Sequence, residues 1–175
     1  ISTRIANSLL EESQMSPDDL DLILVGTVTP DHFTPSTAAL VQKNIKANNA
    51  WGYDLSAACS GFLFGLETGA NFIASGRYKR VMVIGVDTMT SILDFQDRDT
   101  CVIFGDGGGG VILEPTSDGN GIVDSILHMD GSGGDYLIVP GGGSRIPASV
   151  ESVEKRKHFI KQDGKTVFKY AVKGM

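Results

Sequence analysis

Cys59 has the residue type and the neighbours that nucleophilic chemistry requires. It follows a strand-like stretch and the small residues 56–58, and it precedes Gly61 and an apolar, helix-like segment. This order predicts a thiol at a strand-to-helix turn, where backbone N–H groups and the helix dipole favour the thiolate. The small neighbours would let a substrate reach the sulfur. A free cysteine is more commonly a buried packing residue, so on local sequence alone both interpretations stay open.

The glycine run at residues 107–110 is a second candidate site, because glycine-rich loops can cradle phosphates. The run lacks the Lys-Ser/Thr ending of a P-loop, and strand-forming residues 111–113 follow it instead of a helix. Glycine within a strand pattern usually marks a bulge or a close approach of two backbones. We therefore interpret the run as packing closely against the turn that holds Cys59.

Several other reactive side chains give no site by spacing. Cys101 lies in an apolar, strand-like stretch and is interpreted as core. His32, His128 and His158 form no ligand motif with either cysteine, so metal binding is not supported, and His158 is interpreted as a solvated surface residue. Arg98 lies in a polar loop, where it either pairs with neighbouring acids or binds a ligand phosphate. Spacing alone favours the ion pair.

The composition is that of an ordinary globular protein. The 175 residues are 41% hydrophobic and 21% charged, which suffices for a packed core. The net charge of −6 argues against a broad nucleic-acid surface and against an anchor on an anionic membrane. No apolar run approaches the roughly 20 residues of a membrane helix. Two cysteines without a signal peptide favour a reducing, cytoplasmic setting.

Helix and strand patterns alternate along the chain and predict a layered α/β fold with a mainly parallel sheet. Helices are predicted at residues 2–14, 34–45, 62–75 and 166–172, the third of them buried on nearly every face. Buried strands are predicted at the apolar runs 22–28 and 80–86. Shorter strands are predicted at 51–56, 100–104, 111–114 and 121–128. Loop is predicted for 129–150 and an exposed, charged excursion for 151–163.

Three blocks together resemble β-ketoacyl-[acyl-carrier-protein] synthase III, the enzyme family that starts bacterial fatty acid synthesis. The blocks are residues 54–62 around Cys59, residues 97–110 up to the glycine run, and residues 164–168. Their order and separation match the family across nearly all of the chain.

The resemblance implies a thiolase-like fold, in which two similar halves stack as α-β-α-β-α layers. Residues 1–128 would then be most of the first half without its first strand. Residues 129–175 would be the loop region and the truncated start of the second half.

The same resemblance implies an acyltransferase. Cys59 would accept the acyl group of an acyl-CoA primer, and malonyl-acyl-carrier protein would decarboxylate and condense with it to give 3-oxoacyl-carrier protein. Acyl-CoA and acyl carrier protein are then substrates, with no cofactor and no metal. The enzyme would be a cytoplasmic homodimer joined through the edge strand 51–56. A related polyketide or quinolone-type condensing enzyme, and an inactive dimerisation or carrier-binding fragment, are the alternatives.

The resemblance also assigns substrate-binding residues. Arg98 matches an arginine that contacts the nucleotide end of CoA, which reverses the preference for an ion pair. Gly164 and Phe168 match positions that line the pantetheine channel. Some members carry, at the position of Thr34, a phenylalanine that reaches the acyl pocket of the partner subunit. In this chain Phe33 stands one residue before that position. The smaller Thr34 predicts tolerance of branched or longer primers.

An acidic carrier protein requires a basic patch on its enzyme. The charged run offers Lys155, Arg156 and Lys157 as candidates. Lys165, which follows Gly164, stands where the family can carry an asparagine, so its contact with substrate is left open.

Two departures from the family limit the expected activity. The family's catalytic histidine and asparagine would lie beyond Met175, and its first strand would lie before Ile1. Without that strand we expect the buried strands 22–28 and 80–86 to lack a shared neighbour and to expose unpaired backbone. The fragment alone would then be unstable and inactive.

Overall fold

Four strands form the main sheet of this computed structural model, which describes residues 1–174. They are β1 (Leu22–Gly26), β2 (Trp51–Leu55), β3 (Val81–Thr88) and β4 (Asp106–Leu113). Their spatial order is β2-β1-β3-β4. β1 is parallel to both of its neighbours, with Leu22 paired to Trp51 on one side and to Val81 on the other.

Helices cover both faces of the sheet, because the central strands are apolar on both sides. The helices are α1 (Ser2–Ser13), α2 (Thr37–Ile45) and α3 (Gly61–Ala74). Ile23 and Val25 face a core shared with α1 and α2, whereas Leu22 and Leu24 face a core shared with α3. This alternation follows from the two-residue period of a strand. The predicted layered α/β fold with a mainly parallel sheet is confirmed.

The predicted gap in the sheet is wrong. β1 and β3 are direct neighbours over the whole of β1, from Leu22 opposite Val81 to Gly26 opposite Gly85. All five residues of β1 are buried. The missing shared neighbour was the reason for expecting an unstable fragment, and this order of strands removes that reason.

The glycine run lies inside β4 and brings this strand close to its neighbours. A Cβ atom on Gly108 would lie 2.9 Å from the carbonyl oxygen of Gly85, and one on Gly110 would lie 2.8 Å from that of Val83. Both positions also approach the side chain of Ile5 in α1 within 3.2 Å. The residue number rises from 108 to 110 along β4 while that of its neighbour in β3 falls from 85 to 83, so β4 is antiparallel to β3. The close approach is therefore to β3 and α1, not to the turn after β2 as predicted.

Two of the shorter predicted strands are wrong. Residues 100–104 form consecutive turns, in which the N–H groups of Cys101 and Ile103 donate to the carbonyls of Asp97 and Thr100. Cys101 is half-buried there, not core. Residues 121–128 have no regular structure and are exposed. An apolar stretch becomes a strand only where a neighbouring strand accepts its backbone hydrogen bonds.

α3 is buried along one face only. Its buried residues are Gly61, Gly65 and Gly69, spaced four apart, whereas Leu63 is 57% exposed. A Cβ atom on Gly65 would lie 2.8 Å from the Val83 side chain, so the glycines let the helix approach the sheet closely. The prediction that this helix is buried on nearly every face is therefore wrong. The composition of a helix does not reveal which of its faces neighbouring elements cover.

The chain forms two compact units. The first comprises Ile1–Asp87 and Gly107–Leu127, and the second comprises Thr88–Asp106 and the described residues from His128 onward. The regular elements of the second unit's later segment are β5 (Leu137–Ile138), antiparallel to β6 (Lys161–Gln162), and the helices α4 (Val150–Glu154) and α5 (Gly164–Gly174). The division predicted at residue 128 stays a prediction. Among residues 1–174, no helix is both long and apolar enough to span a membrane.

A buried carboxylate organises the second unit. Asp94 is only 6% exposed, and its Oδ2 accepts a hydrogen bond from Nε of Arg156 at 2.7 Å, while Nη2 of Arg156 contacts Oδ1. The hydrogen bond from Arg156 lowers the pKa of Asp94 below its usual value. The same guanidinium stacks 4.8 Å from the ring centroid of Phe159. His158 is half-buried, with Nε2 at 2.8 Å from Oγ of Ser152, so its predicted full solvation is wrong.

Candidate active site around Cys59

Cys59 lies in the turn that joins β2 to α3, at the carboxyl end of the sheet. β2 ends at Leu55, residues Ala58–Ser60 form a short 3-10 helix, and α3 begins at Gly61. The thiol is free and exposed. The predicted strand-to-helix position is confirmed. Because the thiol is exposed, the interpretation of Cys59 as a buried packing residue is wrong. Ligands of open α/β sheets bind at this end of the strands.

The backbone immediately before Cys59 is strained. Ala58 has φ of 46°, in the left-handed region that residues with a Cβ atom avoid. Such a conformation costs roughly 1–3 kcal/mol and persists only where the surrounding structure enforces it. A sharp strand-to-helix turn with a strained residue presents the next side chain outward, as nucleophile turns on other folds do.

Gly26 and Gly61 hold this turn against the end of β1. A Cβ atom on Gly26 would lie 2.7 Å from the carbonyl carbon of Gly61 and 2.9 Å from its oxygen. The N–H of Thr27 also donates to the carbonyl of Leu55 at 3.0 Å. Sequence reasoning missed Gly26, although a glycine that ends a buried apolar strand is a signal for close backbone approach.

Asp87 fixes the loop that follows β1. Its Oδ1 accepts hydrogen bonds from the Thr27 hydroxyl at 3.1 Å, from the Val28 N–H at 2.8 Å and from the Thr29 N–H and hydroxyl at 3.2 and 3.0 Å. One carboxylate oxygen thus orders three consecutive residues at the same sheet end as Cys59. Sequence reasoning missed this role as well. The available signal was an acid directly after the apolar run of β3.

Asp54 connects β2 to the start of α2. Its two carboxylate oxygens accept hydrogen bonds from the N–H groups of Thr37 at 2.7 Å and Ala38 at 2.8 Å. These N–H groups belong to the first turn of α2, where no partner within the helix exists. A carboxylate at this position also interacts favourably with the helix dipole. The strand that leads to Cys59 and the first turn of α2 are therefore held together by one side chain.

Phe33 and Thr34 lie in the loop before α2, and both are exposed. The exposed fraction of Phe33 is 92%. The helix begins at Thr37, three residues later than predicted, because Ser36 has an extended backbone and its Oγ accepts from the Ala39 N–H at 3.2 Å. This N-cap ends the loop. Cys59 and Thr34 therefore follow neighbouring strands of the same unit, each after the strand's carboxyl end.

Arg98 lies in the second unit and is exposed. Among residues 1–174 its side chain forms no hydrogen bond or ion pair. The adjacent Asp97 is engaged elsewhere, accepting from the Thr100 hydroxyl at 3.0 Å and from the Asp99 N–H at 3.1 Å. The ion pair that spacing favoured is therefore absent from the described structure, and the guanidinium is available to a ligand.

Gly164 and Phe168 lie one turn apart on α5, also in the second unit. Asp163 caps this helix by accepting from the Thr166 hydroxyl at 2.8 Å and the Thr166 N–H at 3.2 Å, and these bonds lower the pKa of Asp163. Residues spaced four apart share a helix face. Phe168 is 69% exposed, and a Cβ atom on Gly164 would meet nothing within 4 Å. The helix thus presents an open glycine and an exposed aromatic ring side by side.

An open groove of about 610 Å³ lies at the opposite end of α3 from Cys59. Its lining includes Phe72, Arg77 and Tyr78. The Phe72 ring packs edge-on against Trp51 and Tyr78, with centroids 5.8 and 5.2 Å apart. α3 has 14 residues, so the two ends lie roughly 20 Å apart at the helical rise of about 1.5 Å per residue. The groove is therefore separate from the candidate site.

Known proteins match the chain over nearly all of its length. The sequence profile of the 3-oxoacyl-[acyl-carrier-protein] synthase III family matches residues 53–131. The β-ketoacyl-[acyl-carrier-protein] synthase III of Chlorobaculum tepidum is 58% identical over 175 residues, covering 99% of this chain and 53% of that protein. The chain spans about half the length of the curated relatives it matches.

Two crystal structures are also similar. The 3-oxoacyl-[acyl-carrier-protein] synthase III of Aquifex aeolicus has 36% identity and a TM-score of 0.85, over 97% of this chain and 50% of that chain. The priming β-ketosynthase of the R1128 polyketide biosynthetic pathway has 34% identity and a TM-score of 0.81, over 93% of this chain and 48% of that chain.

Proposed function

Because this chain belongs to the 3-oxoacyl-[acyl-carrier-protein] synthase III family and has its thiolase-like α/β fold, we propose that the protein is an acyltransferase with Cys59 as its nucleophile. The observation that carries the proposal is the exposed, free thiol on the strained turn between β2 and α3. A thiol in this position can form and release a thioester.

The first half-reaction transfers an acyl group from CoA to Cys59. The Cys59 thiolate attacks the thioester carbonyl carbon, and the resulting oxyanion collapses as the bond to the CoA sulfur breaks. The CoA thiolate leaves and takes up the proton that Cys59 released. N–H groups in the first turn of α3 have no partner within the helix, so they are candidates to stabilise the oxyanion.

The second half-reaction condenses this acyl group with malonyl-acyl-carrier protein. The malonyl group loses CO₂, and its carbanion attacks the carbonyl of acyl-Cys59. The carbon–sulfur bond breaks, which frees Cys59 and leaves 3-oxoacyl-carrier protein. The groups that assist decarboxylation are the histidine and asparagine that the family resemblance implies. Both thioesters are substrates, and the proposed reaction needs no cofactor.

Residues of the second unit are proposed to bind CoA. The guanidinium of Arg98 has no partner among the described residues, which suits it to the phosphates at the nucleotide end of CoA. Gly164 leaves space on α5, and Phe168 offers an apolar ring one turn later. The open space at Gly164 and the exposed ring of Phe168 support the assignment of both residues to the channel for the pantetheine arm.

We also propose a cytoplasmic homodimer. Within residues 1–174, β2 is an edge strand that pairs with β1 alone, and unpaired strand edges favour pairing with another chain. Two copies joined edge to edge by β2 would extend the sheet across a two-fold axis. Both cysteines are free, as expected in a reducing compartment.

Mass spectrometry of the full-length protein after incubation with acyl-CoA tests the nucleophile. We expect one acyl adduct on the peptide that contains Cys59. Cys101→Ser should retain the adduct, because Cys101 is the only other thiol in the sequence, and Cys59→Ser should lose it. A folded protein without an adduct on Cys59 would contradict the proposal and favour an inactive dimerisation or carrier-binding role.

Primer choice tests the assignment of Phe33 and Thr34. With the smaller Thr34 at the acyl pocket, we expect isobutyryl-CoA to be used at a rate similar to acetyl-CoA. Thr34→Phe should lower the rate with isobutyryl-CoA selectively, whereas Thr34→Ser should leave the ratio of rates unchanged. A strong preference of the unaltered protein for acetyl-CoA would refute the assignment.

A polyketide-type condensing enzyme is the second candidate, favoured by the similarity to the R1128 priming β-ketosynthase. The acylation of Cys59 is common to both functions, so only the acceptor distinguishes them. Rates with malonyl-carrier proteins from fatty acid and from polyketide synthesis, measured side by side, decide between the two.

A further inference from the structure

Arg156 stands just after α4 in a backbone conformation that favours glycine, with φ of 52°. Its N–H donates to the carbonyl of Val153 at 2.9 Å, and the N–H of Lys157 donates to that of Ser152 at 3.0 Å. These two bonds form the Schellman motif that ends many helices. Glycine usually occupies its left-handed position, because a Cβ atom makes that conformation unfavourable. The helix end gains nothing from an arginine here, so the reason for one has to lie in its side chain.

The side chain of Arg156 forms a forked ion pair with Asp94. Its Nε donates to Oδ2 of Asp94 at 2.7 Å, and its Nη2 contacts Oδ1. Two parallel contacts of this kind are the geometry that a guanidinium offers to a carboxylate and an ammonium does not. The Asp94 side chain is only 6% exposed, so loss of the guanidinium would leave a nearly buried charge unpaired. The fork therefore fixes both the position and the direction of the carboxylate.

Asp94 begins the turns that lead to Arg98. Its Oδ1 also accepts from the N–H of Gln96 at 2.9 Å, and its carbonyl accepts from the N–H of Asp97 at 2.9 Å. Oδ2 of Asp97 in turn accepts from the hydroxyl of Thr100 at 3.0 Å, and Thr100 is buried. Arg98 follows Asp97 directly and is exposed. It thus stands on the outer corner of a hydrogen-bonded loop whose first residue belongs to the ion pair.

We propose that Arg156 is a positioning residue for CoA binding, which acts by fixing the loop that presents Arg98. The inference rests on the proposed acylation of Cys59 and on the assignment of Arg98 to the nucleotide end of CoA. A loop that became ordered only when the phosphates arrived would lose conformational entropy at that step and weaken binding. The ion pair orders the loop beforehand. It also neutralises one of the three charges offered for the carrier's basic patch.

Arg156→Gly separates positioning from folding. Glycine suits the left-handed turn, so the end of α4 should be kept while the ion pair is lost. Acylation of Cys59 by acyl-CoA without carrier protein, followed by mass spectrometry on the full-length protein, gives a maximal rate and a half-saturating concentration. We expect this concentration to rise about fivefold, with the maximal rate unchanged, because a charged hydrogen bond to phosphate is weakened. Acyl-pantetheine, which lacks the nucleotide, should react equally well with variant and unaltered protein.

A double variant tests whether the effect passes through Arg98. Arg98→Ala should raise the half-saturating concentration of acyl-CoA about tenfold, the worth of a charged hydrogen bond. Adding Arg156→Gly should raise it no further, because nothing is left to position. Arg156→Lys keeps the charge without the fork and should give a smaller rise than Arg156→Gly. The matched control is Arg145→Gly, which removes an exposed arginine of the same unit and should change nothing.

The outcomes separate the positioning role from the proposed function. If Arg156→Gly does not fold, Arg156→Lys carries the same comparison. The positioning role would be overturned by an unchanged half-saturating concentration, by additive effects in the double variant or by an equal rise with acyl-pantetheine. Acylation of Cys59 would still uphold the proposed function in each case. An Arg98→Ala variant with normal affinity for acyl-CoA would also overturn the inference. Failure of the unaltered protein to acylate Cys59 would defeat both.

Discussion

Asp87 in the first unit and Asp94 in the second each bind a segment that is distant in sequence, but they use different kinds of hydrogen-bond donor. Asp87 accepts hydrogen bonds from hydroxyl and backbone N–H groups of residues 27–29. Asp94 accepts from the charged guanidinium of Arg156, and its pKa is lowered chiefly for that reason. Thus the loop after β1, at the same sheet end as Cys59, is held by neutral hydrogen-bond donors. The segment that carries Arg98 is held by an ion pair.

The hydrophobic core follows the same division. Among the described residues, all buried hydrophobic side chains except Leu93 and Ile160 belong to the first unit. Close packing of apolar side chains and glycines tolerates little change in volume. A unit with a small core relies more on its polar contacts, which respond to pH and to the loss of a charged partner. The two units are therefore expected to fail under different changes.

The largest effect is expected from Gly26→Ala in the first unit. The added Cβ atom would lie 2.7 Å from the Gly61 carbonyl carbon, so backbone has to move. We expect the free energy of unfolding to fall by about 3 kcal/mol, at the upper end of overpacking effects. The alkylation rate of Cys59 should also change as its turn shifts. Urea denaturation and iodoacetamide kinetics measure the two effects.

Gly109→Ala is the matched control for this prediction. A Cβ atom on Gly109 would meet nothing within 4 Å. Its free energy of unfolding should therefore stay close to that of the unaltered protein. Equal destabilisation by the two substitutions would show that the contact between Gly26 and Gly61 has no special role.

A smaller effect is expected from Asp87→Ala. The N–H of Val28 would lose its acceptor, and the N–H of Thr29 would keep its bond to the Thr27 hydroxyl at 3.1 Å but lose its bond to Asp87. We expect a loss of about 1–2 kcal/mol in the free energy of unfolding. Asp87→Asn keeps one carbonyl oxygen and should lose less. If the two variants were equally stable, the acceptor role of Asp87 would be refuted.

The most local effect is expected from Arg156→Met in the second unit. The Asp94 carboxylate would remain almost buried without its charged partner, so amide exchange in residues 92–104 should quicken while exchange in β1 stays unchanged. Lys155→Met removes the adjacent, exposed ion pair to Glu151 and should have little effect. Hydrogen exchange followed by mass spectrometry compares the two. Equal exchange in both variants would argue against a special role for Asp94.

The pH dependence should be confined to the same region. The lowered pKa of Asp94 means that its contribution to stability is fully present above the unfolded value of about 3.9. That contribution is lost as pH falls through the lower pKa of the folded state. Protection of residues 92–104, corrected for intrinsic exchange, should therefore decline in acid in the unaltered protein. Arg156→Met should show a weaker decline, since it has already lost the pair.

Local patterns predicted the elements that have strong internal signals. The apolar runs that became β1 and β3 and the small residues before Cys59 lie where the sequence indicated. The strand predicted at 100–104 failed because its N–H groups bond to carbonyls a few residues back. The full burial predicted for α3 failed because periodicity does not specify which elements pack on each face.

The sequence by itself determined that Cys59 stands between a strand and a helix and that the chain resembles a condensing-enzyme family, because both follow from the order of neighbouring residues. Only the tertiary structure decided that β1 and β3 are direct neighbours, that Gly26 touches Gly61, and that Arg156 pairs with Asp94. These facts depend on contacts between residues distant in the chain or on which side chains find a partner. No local pattern contains that information, since packing and charge pairing are settled only when the whole unit folds.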